Sequence, residues 1–219
     1  MLTVVKCGGA ALAAAPFELG RHVEPGSAAV VIHGAGQRIS AALEAAGLGS
    51  TFVGGRRVTK AEALPAIKAA FRAENEALCA RIGPDAAGLL GDELGLEAER
   101  IPELGEAGML QPHVPARLRE LLEQGRVPVI APLARGPLNV NADDAAAVLA
   151  VALPADRLVF VSDVPGVLVD GAVVPQLSGA EIGGLGAALS GGIVPKLQAA
   201  LVAARAGVRV AVGETAVVA

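Results

Sequence analysis

Short apolar runs alternate along this chain with longer stretches of helical spacing. Leu2, Val4 and Val5 form the first run, followed by Ala28 to Ile32, Val127 to Ala131, Leu158 to Val161 and Val208 to Val212, the last strand expected. Such brief runs of mostly β-branched residues predict buried strands. Between them, apolar residues recur at three- and four-residue steps. This predicts helices from Gln37 to Ala46, from Lys60 to Ile82 (Leu64, Ile67, Ala70, Phe71, Leu78, Ile82) and from Pro115 to Gln124. An Ala-rich helix ends at Ala152, and another runs from near Pro195 to Ala206, with Gly207 behind it. Ala11 to Glu24 is also Ala-rich and predicts a helix. Thr51 to Thr59 (TFVGGRRVT) reads as an exposed hairpin, and Val167 to Val174 as a hairpin turning at Asp170-Gly171. Gly83 to Gln111 shows little period; its Glu97, Glu99, Glu103 and Glu106 read as a solvated face.

Strand and helix in alternation predict the α/β class: an open, mainly parallel sheet sandwiched by helices, with small β-hairpin insertions. The best lobe boundary is Gly125, giving lobes 1–125 and 126–219. The first is expected to hold a substrate site and a dimer contact, the second a nucleotide site. In such sheets, ligands sit at the carboxyl ends of the strands. Those ends carry Lys6, Gly8, Gly9, Gly34, Gly36, the segment from Asn139 to Asp143, and Asp163.

Composition narrows the picture. Hydrophobic residues make up 53% of the 219 and aromatics 2%, so the core is aliphatic. A net charge of -4 and few aromatics argue against nucleic acid as a partner. The longest apolar run, Ala145 to Pro154, is too short to span a bilayer, and no leader pattern precedes the first strand. Two cysteines, Cys7 and Cys79, form neither a disulfide framework nor a metal motif. A cytoplasmic protein is expected.

The candidate chemistry is concentrated at a few places. Lys6 before Gly8-Gly9 joins a full charge to bare backbone N–H groups, which suits an anion. His33-Gly34-Ala35-Gly36 opens a helix, another anion-holding arrangement. It begins like a dinucleotide fingerprint, but Ile39 stands at the third glycine position. An arginine of the hairpin suits a carboxylate. Asp143 and Asp144 fall in the first turn of a helix, where negative charge is favoured and a capping role is the simplest one. Lys6 and Lys196 are able to neutralise a moving phosphoryl group. No side chain stands out as a general base, which fits an acceptor that is already an anion. His33 reads as structural and Cys7 as a packed small residue.

VVKCGGA, VIHGAGQ, GRRVT, LNVNADDAA, VSDVPGV and GGIVPKLQAAL occur in this order. In this the chain resembles the amino acid kinase family, over about residues 2 to 212. The resemblance implies transfer of a phosphoryl group from ATP, with Mg2+ held mainly by the phosphates. The implied acceptor is the side-chain carboxylate of N-acetyl-L-glutamate, in arginine synthesis, and the implied product an acyl phosphate. Lys6 and Lys196 would stabilise the transferring group and Asp143 would orient them. Backbone N–H groups at Gly8, Gly9 and Gly36 would hold phosphate oxygens. Arg57, Asn139 and the Ala35-Gly36 backbone would seat the acceptor, and Asp163 would lie on the nucleotide side. No protein metal cluster is implied.

The chain departs from the family pattern at Ala35, where a middle glycine is usual and where a positive φ would strain alanine. It departs also at Arg56, in place of an apolar residue, and in ending soon after Val212. With no helix before Met1, the resemblance implies an arginine-insensitive homodimer; a nitrogen-regulatory partner stays open. Competing readings are a kinase acting on carrier-protein-linked aminoadipate or glutamate, and a non-catalytic nucleotide-binding protein on the same fold. A dinucleotide-dependent oxidoreductase comes third.

Overall fold

The computed structural model describes residues 1–8, 17–185 and 192–219. The apolar run at the N-terminus becomes β1 (Leu2–Cys7), and the next becomes β2 (Ala28–His33). Between them, the helix expected over Ala11 to Glu24 is not found in its described part, where Leu19–Arg21 makes one 3-10 turn. Its segment 9–16 lies outside the described residues. The described part, residues 17–24, contains no alanine and has Gly20 in its middle, and the chain then turns at Gly26, φ +77.

From there, α1 (Gly36–Ala45) leads to the hairpin of β3 (Thr51–Val53) and β4 (Arg56–Val58), then to α2 (Leu64–Ile82). The stretch with little period holds β5 (Ala86–Leu90), α3 (Gly91–Leu94), β6 (Ala98–Arg100) and β7 (Ala107–Leu110). Glu97, Glu99 and Glu103 are exposed there, while Glu106 is half-buried and pairs with Arg100. Next come α4 (Ala116–Glu123), β8 (Val127–Ala131), β9 (Leu133–Ala134), β10 (Leu138–Val140) and α5 (Ala142–Ala152). β11 (Arg157–Val161) precedes the hairpin of β12 (Leu168–Val169) and β13 (Ala172–Val173), whose Asp170 and Gly171 both have positive φ, as its turn type requires. The chain closes with β14 (Gln176–Ser178), α6 (Gly179–Gly184), α7 (Ile193–Arg205), β15 (Arg209–Val212) and β16 (Thr215–Val218). β15 is therefore not the last strand. Gly213, at φ +56, turns the chain back so that β16 pairs antiparallel with it.

The main sheet has eight strands in the order β14-β16-β15-β11-β1-β2-β8-β5, parallel except for β15 with β16. A four-stranded sheet, β6-β7-β10-β9, lies apart from it. Strands between residues 127 and 140 pair with strands that precede residue 125, so a division at Gly125 runs between paired strands.

Side-chain alternation decides what each face meets. Val4, Val30, Ile32 and Phe160 pack with α4, α5 and α7, whereas Val5, Cys7, Val31 and Val129 pack on Leu78 of α2. The sheet is therefore covered on both sides, an α/β fold with a mainly parallel sheet. Lys6 has the parity of Val4, so β1 delivers its ammonium to the side where α5 begins.

Candidate functional site

The carboxyl ends of β1, β2 and β10 open into one cleft of about 240 Å³, closed on one side by the β3–β4 hairpin. Lys6, Gly8, Ala35, Gly36, Arg57, Asn139 and Asp143 all line it. Of the residues singled out in the sequence, Lys196 and Asp163 do not line this cleft, and Gly9 lies outside the described residues.

Lys6 is the last inward residue of β1, and its Nζ stands 2.8 Å from Asp143 Oδ1. Both side chains are buried, and the contact is electrostatic rather than a well-directed hydrogen bond. Asp143 does not cap its helix. That task falls to Asn141, whose Oδ1 accepts from the N–H groups of Asp143 (2.8 Å) and Asp144 (3.1 Å). The carboxylate of Asp143 is thereby left for the cleft. A Cβ added at Gly8 would lie 3.5 Å from Lys6 Nζ, so bare backbone runs beside the ammonium.

The second strand end is built differently. His33 is fully buried, and its Nε2 lies 3.0 Å from Asn75 Nδ2. Burial pushes its imidazole down to about 4, partly opposed by a backbone hydrogen bond with Gly34. It is neutral at physiological pH and serves the packing. Ala35 follows at φ -132, an ordinary value for alanine, so the glycine missing there causes no strain. Gly36 is the first residue of α1, and its N–H and those after it face the cleft end of the helix with no intrahelical partner.

Opposite them, the hairpin supplies Arg57. Its Nη1 donates to Ser50 Oγ, and its Nη2 donates to Gly36 O (3.2 Å) and Ser40 Oγ (3.1 Å). The guanidinium also lies 4.5 Å from the Phe52 ring centre. Burial lowers its pKa from the ordinary value. Asn139 reaches the same hairpin through Thr59: its Nδ2 donates to Thr59 Oγ1 (3.0 Å), which donates to Arg57 O (3.1 Å). Arg56 turns the other way and pairs with Asp144 at 2.8 Å.

Lys196, in the first turn of α7, faces the same charges from another side. Burial, then the neighbouring Lys6 ammonium, lowers its pKa, and Asp143 and Asp163 partly offset this. Two ammonium groups thus share one aspartate, a field that favours a bound anion. Asp163 is exposed at the end of β11, next to β1 in the sheet. Among the described residues, no three His, Cys, Asp or Glu side chains gather to hold a metal ion, and no helix is long and apolar enough to cross a membrane.

Thr59, Ser40 and Ser50 were not singled out in the sequence, and Asn141 only as part of the segment from Asn139 to Asp143. Only Asn141 carried a signal, since Asn two and three residues before a pair of aspartates is N-cap spacing. Serines that brace an arginine from a helix and a loop leave no local trace.

Comparison with known proteins places the chain among relatives of one family. The chain is 42% identical to the acetylglutamate kinase of Roseiflexus castenholzii over 225 residues, covering 95% of this chain and 87% of that protein. It is 41% identical to the acetylglutamate kinase of Rubrobacter xylanophilus over 216 residues, covering 94% and 85%. A solved protein of Streptococcus mutans UA159 shares the fold, with a TM-score of 0.86 at 24% identity over 99% of this chain and 98% of that one. The amino acid kinase family model matches residues 1–213, and with the paired lysines and glycine-lined strand ends in place, this chain belongs to the amino acid kinase family, as a phosphotransferase.

Proposed function

We propose that this protein transfers the γ-phosphoryl group of ATP to the side-chain carboxylate of N-acetyl-L-glutamate, giving an acyl phosphate and ADP. The observation that carries the reading is the Lys6–Asp143 pair at the end of β1, across one small cleft from Arg57 and Asn139. A cleft of about 240 Å³ suits an acyl amino acid, being below the ~300–1,000 Å³ of drug-sized sites.

The Arg57 guanidinium, braced by Ser50, Ser40 and Gly36 O, binds the α-carboxylate of the acceptor, and Asn139 seats the same molecule. One oxygen of the side-chain carboxylate then forms a bond to the γ-phosphorus while the bond to the β,γ-bridging oxygen breaks. The bonding pair leaves with ADP. No proton is removed from the nucleophile, so no general base is required. Charge on the equatorial oxygens meets Lys6 and Lys196, and Asp143 orients both. N–H groups at Gly8, Gly9 and Gly36 hold phosphate oxygens, and Asp163 lies on the nucleotide side. Mg2+ would be held mainly by the phosphates, where it would neutralise part of their charge. By the motif resemblance the enzyme acts in arginine synthesis as a cytoplasmic homodimer; sedimentation as a monomer would overturn that assembly.

The reading is tested by measuring ADP release from MgATP with N-acetylglutamate, glutamate, aspartate and aminoadipate in parallel, with hydroxylamine to trap acyl phosphate. Turnover with N-acetylglutamate is expected. ATP binding without turnover of any acceptor would point to a carrier-linked substrate or a binding protein.

A further inference from the structure

The β3–β4 hairpin is a two-stranded sheet of its own, with strands of three residues each. A ribbon that short has little stability in isolation. It also buries little apolar surface at its tip, where Phe52 and Val53 are 52% and 58% exposed. Its position is therefore set by polar contacts with neighbouring elements. The base is held at Thr59, which accepts from Asn139 Nδ2 and bridges to Gly105. The tip is held from the first turn of α5. There Asn141, which caps the helix, donates through Nδ2 to Gly55 O at 3.2 Å, and Arg56 Nε donates to Asp144 Oδ2 at 2.8 Å. Gly55 also lies so close to the Pro195 ring that any Cβ would collide with it, so the tip is seated against α5 and α7 together. Among the described residues, Arg56–Asp144 is the one ion pair that joins the hairpin to the body of the protein. Its side chains are 28% and 11% exposed, so water screens it less than a surface pair. Arg57, which faces the cleft, is the next residue in the chain, so whatever seats the tip also aims Arg57.

Resting on the phosphoryl-transfer reading above, we propose that Arg56 is a positioning residue for the acceptor: its ion pair with Asp144 clasps the hairpin to α5 before the acceptor arrives, and so presents Arg57 ready-made. Arg56 need not touch the acceptor. A site whose competent form is only partly populated binds more weakly by that fraction. Saturating acceptor draws the hairpin shut through Arg57 and restores the competent form. Loss of the clasp therefore shows in the acceptor KM and not in kcat.

The test compares wild type with R56L, D144A, the R56L/D144A double variant and R56K. R56L and D144A each raise the acceptor KM about five- to tenfold, with kcat within about twofold of wild type and the KM for MgATP unchanged. The double variant is no worse than either single one, because all three lose the same contact. R56K keeps a cation within reach of Asp144 and stays within about threefold of wild type. A direct contact between Arg56 and the acceptor predicts a higher KM in R56L but not in D144A. A merely structural contact predicts a loss of kcat at constant KM. Either result would overturn the proposal. R56Q replaces R56L if the latter does not fold, with the same expectation. Hydrogen exchange of the amides of residues 51–58 in the ligand-free protein reads the clasp without turnover: R56L speeds it about five- to tenfold. If wild type turns over no acceptor, the kinase reading falls while hydrogen exchange still decides for or against Arg56. Unchanged exchange in R56L sinks the inference whatever the kinetics.

Discussion

The two halves of the site are finished to different degrees. On the hairpin side, every charged group is paired within the protein: Arg57 with two serines and a carbonyl, Arg56 with Asp144, Lys6 with Asp143. On the α7 side, neither Lys196 nor Asp163 has an ion pair or hydrogen bond with another described residue, and Lys196 is pushed below its ordinary pKa by burial and by Lys6. Under the proposed function, the first half selects and holds the acceptor before chemistry. The second holds an ammonium with no direct partner among the described residues, which a phosphate group would satisfy under the proposed function. On that reading binding and transfer rest on different elements, so substitutions should separate KM from kcat.

The largest expected break is on the undersupplied side. Lys196→Ala should lower kcat about 100- to 1,000-fold, the usual cost of one lost transition-state charge contact, with little change in acceptor KM. Steady-state kinetics in both substrates check this; equal losses in kcat and substrate affinity would remove the lysine from its transfer role. Next in size is Arg57→Ala, which should raise acceptor KM roughly 30- to 100-fold with kcat changed far less, because a buried charge-assisted contact is lost. If kcat falls instead and KM holds, the two halves are not distinct.

A third test concerns the scaffold between the halves. His33 is neutral in the fold at about 4 but charges at its ordinary 6.5 when unfolded. The unfolded chain therefore binds more protons between these values, and stability falls as pH drops through this window, levelling off below it. Denaturant unfolding should show a loss of about 2 kcal/mol from pH 7 to pH 5 assigned to this residue. His33→Asn should flatten that stretch of the curve. An unchanged slope would mean that the imidazole is not buried as described. The smallest effect is a displacement: with Lys196 lowered, kcat/KM should fall on the alkaline side before an ordinary lysine would titrate. Lys196→Arg should abolish that limb while leaving the acid side alone, and a pH profile to the alkaline limit decides it.

The catalogue of strand ends was legible because parallel strands buried on both faces must be apolar, and they stop where polar or glycine residues begin. Lys6, Gly36, Asn139 and Asp143 could be picked out on that ground alone. The four-stranded sheet was not legible: β9 and β10 are two and three residues long, and the pairing of β10 with β7 joins segments far apart in sequence. Over residues 17–24 the helix expected from Ala11 to Glu24 is reduced to a single turn, because that part holds no alanine and has Gly20 within it. β16 was passed over because TAVV after Gly213 looks like a tail until β15 offers it a partner.

What the sequence determined by itself is the alternation of strand and helix, the parity that points Lys6 and Val4 the same way, and the residue types available at each strand end. These follow from local periodicity and side-chain chemistry. The tertiary structure alone decided the pairings. Asn141 rather than an aspartate caps α5, Arg56 finds Asp144 88 residues away, and Lys196 comes within the field of Lys6. Those depend on sheet order and on which helices cover which face, and electrostatic contacts across that distance in sequence leave no local period to read.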